Sequence, residues 1–266
     1  MAAEVERHIE SVSAALRLLA CFDSDVGLRL LDLYERTRLN RSRILRLAGT
    51  LVANGFLEHD GRTSTYRLGP ALFAAGSLVA GRFSDLAEAV RPVLRALVAD
   101  TGDTAMFSIV SGHTPLVLSK EEPEDALRYT VQEGQNRPIS GGASGRVILA
   151  FCDEALRSQV LQSGELVTAS DAPARQGAAL NERLAHIREA GFDWSVGELT
   201  PHAFAIAVPV LSRRDELLGV LTLAGLEAKL TPALRERYVQ LLKEQSARIP
   251  SAALTSAGAS QALENA

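Results

Sequence analysis

The chain is 266 residues long, 47% apolar and 23% charged, which excludes a wholly disordered polymer and allows two hydrophobic cores. Aromatic residues are few, at 5%, and Ala and Leu dominate, a bias toward helix. A formal net charge of −4 excludes general polyanion binding by the molecule as a whole.

Residues 1–10 are polar and expected to be loose. Ser11 is the expected cap of a helix to about Phe22, with Val12, Ala15, Leu16 and Leu19 on its apolar face. After the turn cluster Asp23–Gly27, Leu30–Thr37 reads as a short second helix. Arg38-Leu39-Asn40 is a tight connection, and Asn40 is a good N-cap for a third helix from Arg41 to Asn54. In that helix Ile44, Leu45, Leu47, Ala48, Leu51 and Val52 share one arc, while Ser42, Arg43, Arg46, Gly49, Thr50 and Ala53 share the opposite one. A face of small residues with a few long donors suits entry into a groove; the plainer alternative is a solvated surface. Gly55 is placed to end the helix.

Phe56–His59 and Thr65–Leu68 read as two strands around an Asp60-Gly61 turn. Three helices followed by a hairpin is the order of a winged helix-turn-helix. The charge supports that reading. From Arg36 to Arg67 seven Arg face only Glu58 and Asp60, so this stretch carries +5 and the rest of the chain −9. No Lys occurs before Lys120, and Arg suits bidentate contact with phosphate or guanine. The candidate DNA-binding residues are therefore Arg41, Ser42, Arg43, Arg46 and Thr50 on the helix, and Arg62, Thr63, Thr65 and Arg67 on the wing.

Residues 70–99 are mostly helical, with Gly76 and Gly81 as weak points; Ser84 is expected to cap a fresh helix from Asp85 to Ala99, with Pro92 as a kink. Beyond it strands and helices alternate: Thr104–Val110 pairs with Leu116–Ser119, Arg128–Gln132 is a weaker strand, and Gly145–Phe151, Asp153–Gln162 and Ala174–Ala190 are helical. Phe204–Leu211 and Leu217–Ala224 are strands, and Thr231 caps a closing helix to Arg248 with Pro232 as its first residue. The fold class is α+β, the second domain resting on an antiparallel sheet. Its boundaries are 1–69 for a winged helix-turn-helix domain, 70–83 for a linker helix, 84–249 for the larger domain and 250–266 for an Ala/Ser-rich disordered tail.

Ser140 to Arg146 (Ser-Gly-Gly-Ala-Ser-Gly-Arg) precedes a helix. Backbone N–H groups freed by Gly142 and its neighbours form either an anion site or a tightly packed helix start. The segment fails as a phosphate loop for lack of Lys, and as a nucleophile elbow because Arg146 stands where a glycine belongs. Trp194 and Ser195, read as loop residues, either line a pocket or pack the core. Asp193 and Glu198 suggest no acid/base pair by themselves. The five His are scattered without ligand spacing, with His202 near Glu198 the one to watch, so no metal and no cofactor is expected. Cys21 and Cys152 lie in apolar helical sequence and read as buried thiols of a reducing cytosol. No signal peptide and no membrane-spanning run is seen, which sets a cytoplasmic expectation.

From about Ser11 to Arg248 the chain resembles the IclR family of bacterial transcriptional regulators. The resemblance is carried by Asn40–Leu47 with Asn54-Gly55-Phe56-Leu57 and Tyr66–Gly69, by Ser140–Ala150, and by Gly191, Ser195, Glu198, Ala205-Ile206-Ala207 and Pro209-Val210. It implies a GAF-like effector-binding domain, an operator of double-stranded DNA, a homodimer or homotetramer, and a small organic acid effector. By position the effector pocket would fall on Tyr129, Ala143, Ser144, Ser195, Ala205, Thr222 and Ala224. Members often carry a polar residue near Ala224 and His or similar at Ser140, so this pocket is less polar and points to a ligand with an apolar body, such as an aromatic acid. Two rival readings remain: a winged-helix protein–protein adaptor, and an enzyme acting through Ser144 or Glu198, which lacks a recognisable base partner.

Overall fold

The computed structural model describes residues 9–111, 114–125, 128–134, 139–163 and 173–249; the expected tail at 250–266 lies outside them. The chain divides into two compact units, Met1–Gly81 and Arg82–Ala266.

The first unit runs α1 (Glu10–Ala20), β1 (Leu28–Arg29), α2 (Leu30–Thr37), α3 (Arg41–Ala53), β2 (Leu57–Asp60) and β3 (Thr65–Leu68), with a sheet ordered β1-β3-β2. Its core is built from Ala14, Leu18, Leu33, Ile44, Ala48 and Leu57. Ser11 does not cap α1, which begins two residues earlier, at Glu10 behind the N-cap Ile9, with no side-chain cap. The buried stripe of α1 is Ala14 and Leu18, leaving Val12 and Leu16 exposed. Both stripes have i,i+4 spacing, so periodicity alone does not choose between them. β1 adds a third strand through Leu28 opposite Tyr66. The hairpin turn is the four residues 61–64, and Asp60, expected in the turn, pairs with Thr65 as the last residue of β2. Its left-handed residue is Ser64 (φ 54°), not Gly61. The Asp60 carboxylate accepts from the Arg62 N–H and the Thr63 hydroxyl, both at 2.8 Å, and so shapes the turn.

Helix α4 (Pro70–Thr101) is continuous over 32 residues. The fresh helix expected at Ser84 is absent because neither Gly76 nor Gly81 breaks the helix; each costs only about 1 kcal/mol relative to Ala. Pro92 sits inside it, and the buried stripe Leu86, Val90, Leu94 and Leu97 continues across that position.

The second unit holds an antiparallel sheet in the order β5-β4-β8-β7-β6, formed by β4 (Thr104–Ser111), β5 (Thr114–Glu121), β6 (Asp193–Val196), β7 (Ala203–Leu211) and β8 (Leu217–Leu226). The sheet is covered on both faces. On one, Leu86, Val90 and Leu94 of α4 and Tyr238 and Leu242 of α8 (Pro232–Ser246) pack on Phe107, Phe204, Ile206, Val208 and Leu223. On the other, α5 (Gly142–Phe151), α6 (Glu154–Ser163) and α7 (Pro173–Ala190) pack on Ala207, Leu217 and Val220. This is the period-2 alternation of strands buried on both sides. The expected strand at Arg128–Gln132 does not form. That segment is held by isolated bonds instead, the Thr104 hydroxyl donating to the Tyr129 carbonyl and the Gly134 N–H to the Val117 carbonyl at 2.8 Å. The expected loop at Trp194 is strand β6, which pairs with β7 from Asp193↔Ala207 to Val196↔Phe204.

Neither cysteine is in a disulfide. Burial pushes the Cys152 thiol up to about 11, and the less buried Cys21 thiol is raised more modestly by burial, with Arg36 opposing. Iodoacetamide at pH 8 should therefore alkylate Cys21 and spare Cys152 in the native protein, and guanidinium should release both; mass spectrometry of the labelled peptides reads the outcome.

Candidate functional site

Two places in the chain concentrate functional chemistry. The first is α3. The Asn40 side chain accepts from the Arg43 N–H at 2.8 Å and from the Ser42 hydroxyl at 2.9 Å, capping the helix as expected. Ile44, Ala48 and Leu51 are buried, and Arg41, Ser42, Arg46, Gly49 and Thr50 are exposed. Two residues leave the faces the sequence assigned them. Leu45, expected in the core, is 49% exposed. Arg43, expected on the open face, has a side chain only 28% exposed and turned onto α1. Its Nη2 lies 2.9 Å from the Glu10 carboxylate and 3.2 Å from the Glu10 carbonyl. Of the other arginines in the basic stretch, Arg36 is occupied by Asp23 at 3.0 Å and by the Cys21 carbonyl at 2.8 Å. Arg38, Arg41, Arg46, Arg62 and Arg67 are exposed and form no ion pair among the described residues. On the hairpin, Thr63 and Thr65 share a hydroxyl contact at 2.8 Å, and Thr65 is half-buried. Gly49 is open on its surface: a Cβ there would meet nothing within 4 Å among the described residues. A mid-helix Gly costs about 1 kcal/mol relative to Ala, with no return here in internal packing.

The second place is a cavity of about 40 Å³ beneath the first turn of α5. Its floor is made by small side chains on one face of two paired strands, Ala205 opposite Ala224 with Thr222 beside them. Residues of alternating strands that elsewhere carry Val or Leu are here too short to reach α5, so a gap remains. Tyr129, Ala143, Ser144, Ser195, Ala205, Thr222 and Ala224 all line it, and the Ser144 and Thr222 hydroxyls meet at 3.0 Å across it. Two candidates do not line it. Gly142 lies just behind the wall at φ +68°, where a Cβ would strike Leu199 at 2.8 Å. Trp194 points to the opposite face of the sheet, with Arg235 stacked 4.5 Å from its ring centroid, because successive strand residues alternate sides and Ser195 takes the cavity side. The sequence also missed Met106, Glu198, Leu199, Thr200 and Phe204 as wall residues.

An ion cluster, buried at Asp193 and Arg146 and open to solvent at Glu198 and Arg183, holds the cavity's end wall. Arg146 Nε donates to Asp193 at 2.5 Å, its Nη1 and Nη2 both bond the Glu198 carboxylate, and Arg183 bonds the other oxygen of Asp193, which is 1% exposed. Burial alone would pull the Arg146 guanidinium down, but Glu198 and Asp193 outweigh it and hold it above its ordinary value. Two cations meet two anions, so the cluster adds no net charge to the cavity. Glu198 also accepts from the Gly142 N–H at 3.1 Å, and Ser195 Oγ accepts from the Ala143 N–H at 3.3 Å. These two side chains satisfy the leading N–H groups of α5 that the glycine-rich segment frees. His202 is exposed, and its Nδ1 lies 3.9 Å from the Glu227 carboxylate. Among the described residues no group of His, Cys, Asp and Glu has the geometry of a metal site, and no helix is long and apolar enough to cross a membrane.

Comparison with known proteins bears on both places. The family model for the IclR helix-turn-helix domain matches residues 11–61, and that for the bacterial transcriptional regulator IclR C-terminal domain matches residues 81–251. The chain is 30% identical over 233 residues to the HTH-type transcriptional regulator BhcR of Paracoccus denitrificans, covering 88% of this chain and 83% of that one. It is similar to the crystal structure of an IclR transcriptional regulator from Alicyclobacillus acidocaldarius, with a TM-score of 0.70 and 29% identity over 93% of this chain and all of that one. An IclR homolog from Microbacterium hydrocarbonoxydans, solved in complex with 4-hydroxybenzoate, shares the fold at a TM-score of 0.65 and 20% identity, covering 93% of this chain and 100% of that one.

Breaking the ion cluster at its centre should be costly, because Asp193 is left buried with half its partners. Arg146→Met is expected to destabilise the chain by about 3 kcal/mol, and Arg146→Lys to recover only part, since one ammonium cannot bond both carboxylates as the guanidinium fork does. Urea unfolding followed by circular dichroism measures both.

Proposed function

This chain belongs to the IclR family of bacterial transcriptional regulators, and from that premise we propose that it binds a double-stranded DNA operator in a sequence-dependent way, with affinity set by a small organic acid in the cavity beneath α5. The observation that carries the DNA reading is the exposed face of α3, where Arg41 and Arg46 flank small residues on a capped helix. Arg46 sits where a recognition helix meets base edges, and Arg62 and Arg67 of the hairpin lie within a chain stretch suited to backbone phosphates. The chain acts as a homodimer or homotetramer on a palindromic site. Phe73 and Leu78 of α4 are 80% and 79% exposed, and Val12 and Leu16 of α1 are exposed as well; a second copy covering such residues removes them from water. No catalytic step is needed: an effector shifts the equilibrium between DNA-competent and DNA-incompetent states by its differential affinity for the two.

For the effector, the hydroxyls of Ser144, Thr222 and Ser195 supply donors to a carboxylate, the first turn of α5 favours negative charge, and Met106, Ala205 and Ala224 receive an apolar body. The 4-hydroxybenzoate complex of the Microbacterium relative supports an acid. Cavity size supports a small one. At about 40 Å³ it is well below the roughly 150 Å³ that takes a benzene ring. A short aliphatic hydroxy or keto acid fits as the walls stand, whereas an aromatic acid requires Leu199 and Thr200 to move outward.

The test is fluorescence-anisotropy titration of the full chain against duplexes from the region upstream of its own gene, with a scrambled duplex as control. Nanomolar, sequence-dependent binding is expected, weakened at least about tenfold by Arg46→Ala and falling steeply with salt. Adding short-chain hydroxy and keto acids should shift that affinity more than benzoates do. Binding insensitive to Arg46→Ala and to salt would instead support a protein–protein adaptor.

A further inference from the structure

We infer that Leu45 and Gly49 form an apolar step on α3 that reads the 5-methyl group of one thymine in each operator half-site, beside the base contacted by Arg46. The inference rests on the DNA-binding reading above and adds a specificity element to it.

Two independent features of α3 point to it. Leu45 is an apolar side chain held in water, on a helix whose own core side is already filled by Ile44, Ala48 and Leu51. It takes no part in the core of the first unit. Gly49 lies one turn further on, and i,i+4 residues stand one above the other on the same face of a helix. Its missing side chain opens space that no other group among the described residues occupies, and a glycine in a helix interior weakens the helix. A protruding isobutyl group followed by a bare turn makes a notch about one methyl group deep. Arg46 adjoins both positions.

The surroundings decide what enters the notch. Arg38, Arg41 and Arg46 on this part of the chain are exposed and form no ion pair among the described residues, a surface complementary to a polyanion. Arg43 does not fill the face, because Glu10 holds its guanidinium against α1. An apolar notch set among cations requires a partner that is anionic overall yet presents a single small apolar group. In the major groove of DNA that group is the thymine methyl. Contact with Leu45 desolvates it, and the absent Cβ of Gly49 lets the base edge approach the helix backbone closely.

The test starts from a duplex enriched out of a random-sequence library by binding to the full chain. Each thymine in turn is replaced by deoxyuridine, which removes the methyl and leaves the hydrogen-bonding groups unchanged. One thymine per half-site should then lower affinity by about threefold to tenfold, the scale of one buried methyl. Leu45→Ala should bind more weakly and lose that sensitivity to deoxyuridine. Gly49→Ala should bind at least about fivefold more weakly while its thermal unfolding midpoint stays level or rises, which a purely structural role for Gly49 does not produce. The inference is overturned if no thymine shows the effect, or if Gly49→Ala binds the enriched duplex normally. Failure to enrich any duplex overturns the DNA-binding reading along with it.

Discussion

The guanidinium of Arg146 is the tie on which the second unit's cavity depends. It projects from α5, bonds Asp193 at the start of β6, and reaches Glu198 in the segment after β6. Arg183 of α7 meets the same Asp193. One cluster therefore fixes an edge strand, two helices and the cavity's end wall relative to one another. A cluster with a buried centre of this kind stabilises little over a packed apolar one, but it has a narrow range of allowed geometries. That constraint suits a site whose floor is made of side chains too small to hold α5 by packing alone. Glu198, secured by Arg146, then accepts from the leading turn of α5 and keeps the helix end in place above the gap.

A second division of labour runs through the first unit. The basic stretch looks uniform in sequence, yet its arginines do different things. Arg36 ties α2 to the turn after α1, and Arg43 ties α3 to α1 through Glu10. Exposed pairs of this sort contribute at most about 1 kcal/mol each, so their main effect is on direction: they decide which cations remain outward. Arg38, Arg41 and Arg46 are what is left on the helical side. The surface offered to a partner is thus smaller than the charge count implies, and an exposed Leu and a bare Gly lie within it.

Much of the fold was legible because its signals are local. Asn40 as the cap of α3, Leu30–Thr37 as α2, Thr231-Pro232 at the start of α8, and the strands β7 and β8 each follow from a handful of neighbouring residues whose chemistry has one favourable backbone answer. The errors fall where local energies are nearly equal. α1 carries two apolar stripes of the same spacing, and only packing on the neighbouring helices selects Ala14 and Leu18. Arg128–Gln132 has strand-like composition but satisfies itself with isolated bonds. β6 is four residues long and is a strand because β7 lies beside it, not because of its own composition.

The sequence by itself determined most of the helices and strands, since side chains that alternate along a strand or recur along a helix reveal their face without reference to the rest of the chain; short motifs carried the family resemblance, and that resemblance implied seven of the residues that line the cavity. The tertiary structure alone decided that Arg43 turns inward to a residue 33 positions away, that Arg146 finds partners 47 and 52 positions away, and that Trp194 packs on the opposite face from the cavity. Periodicity records the phase of an element about its own axis. It carries no record of which distant element will stand opposite, and for a long charged side chain several rotamers of similar energy exist until a partner at close range selects one.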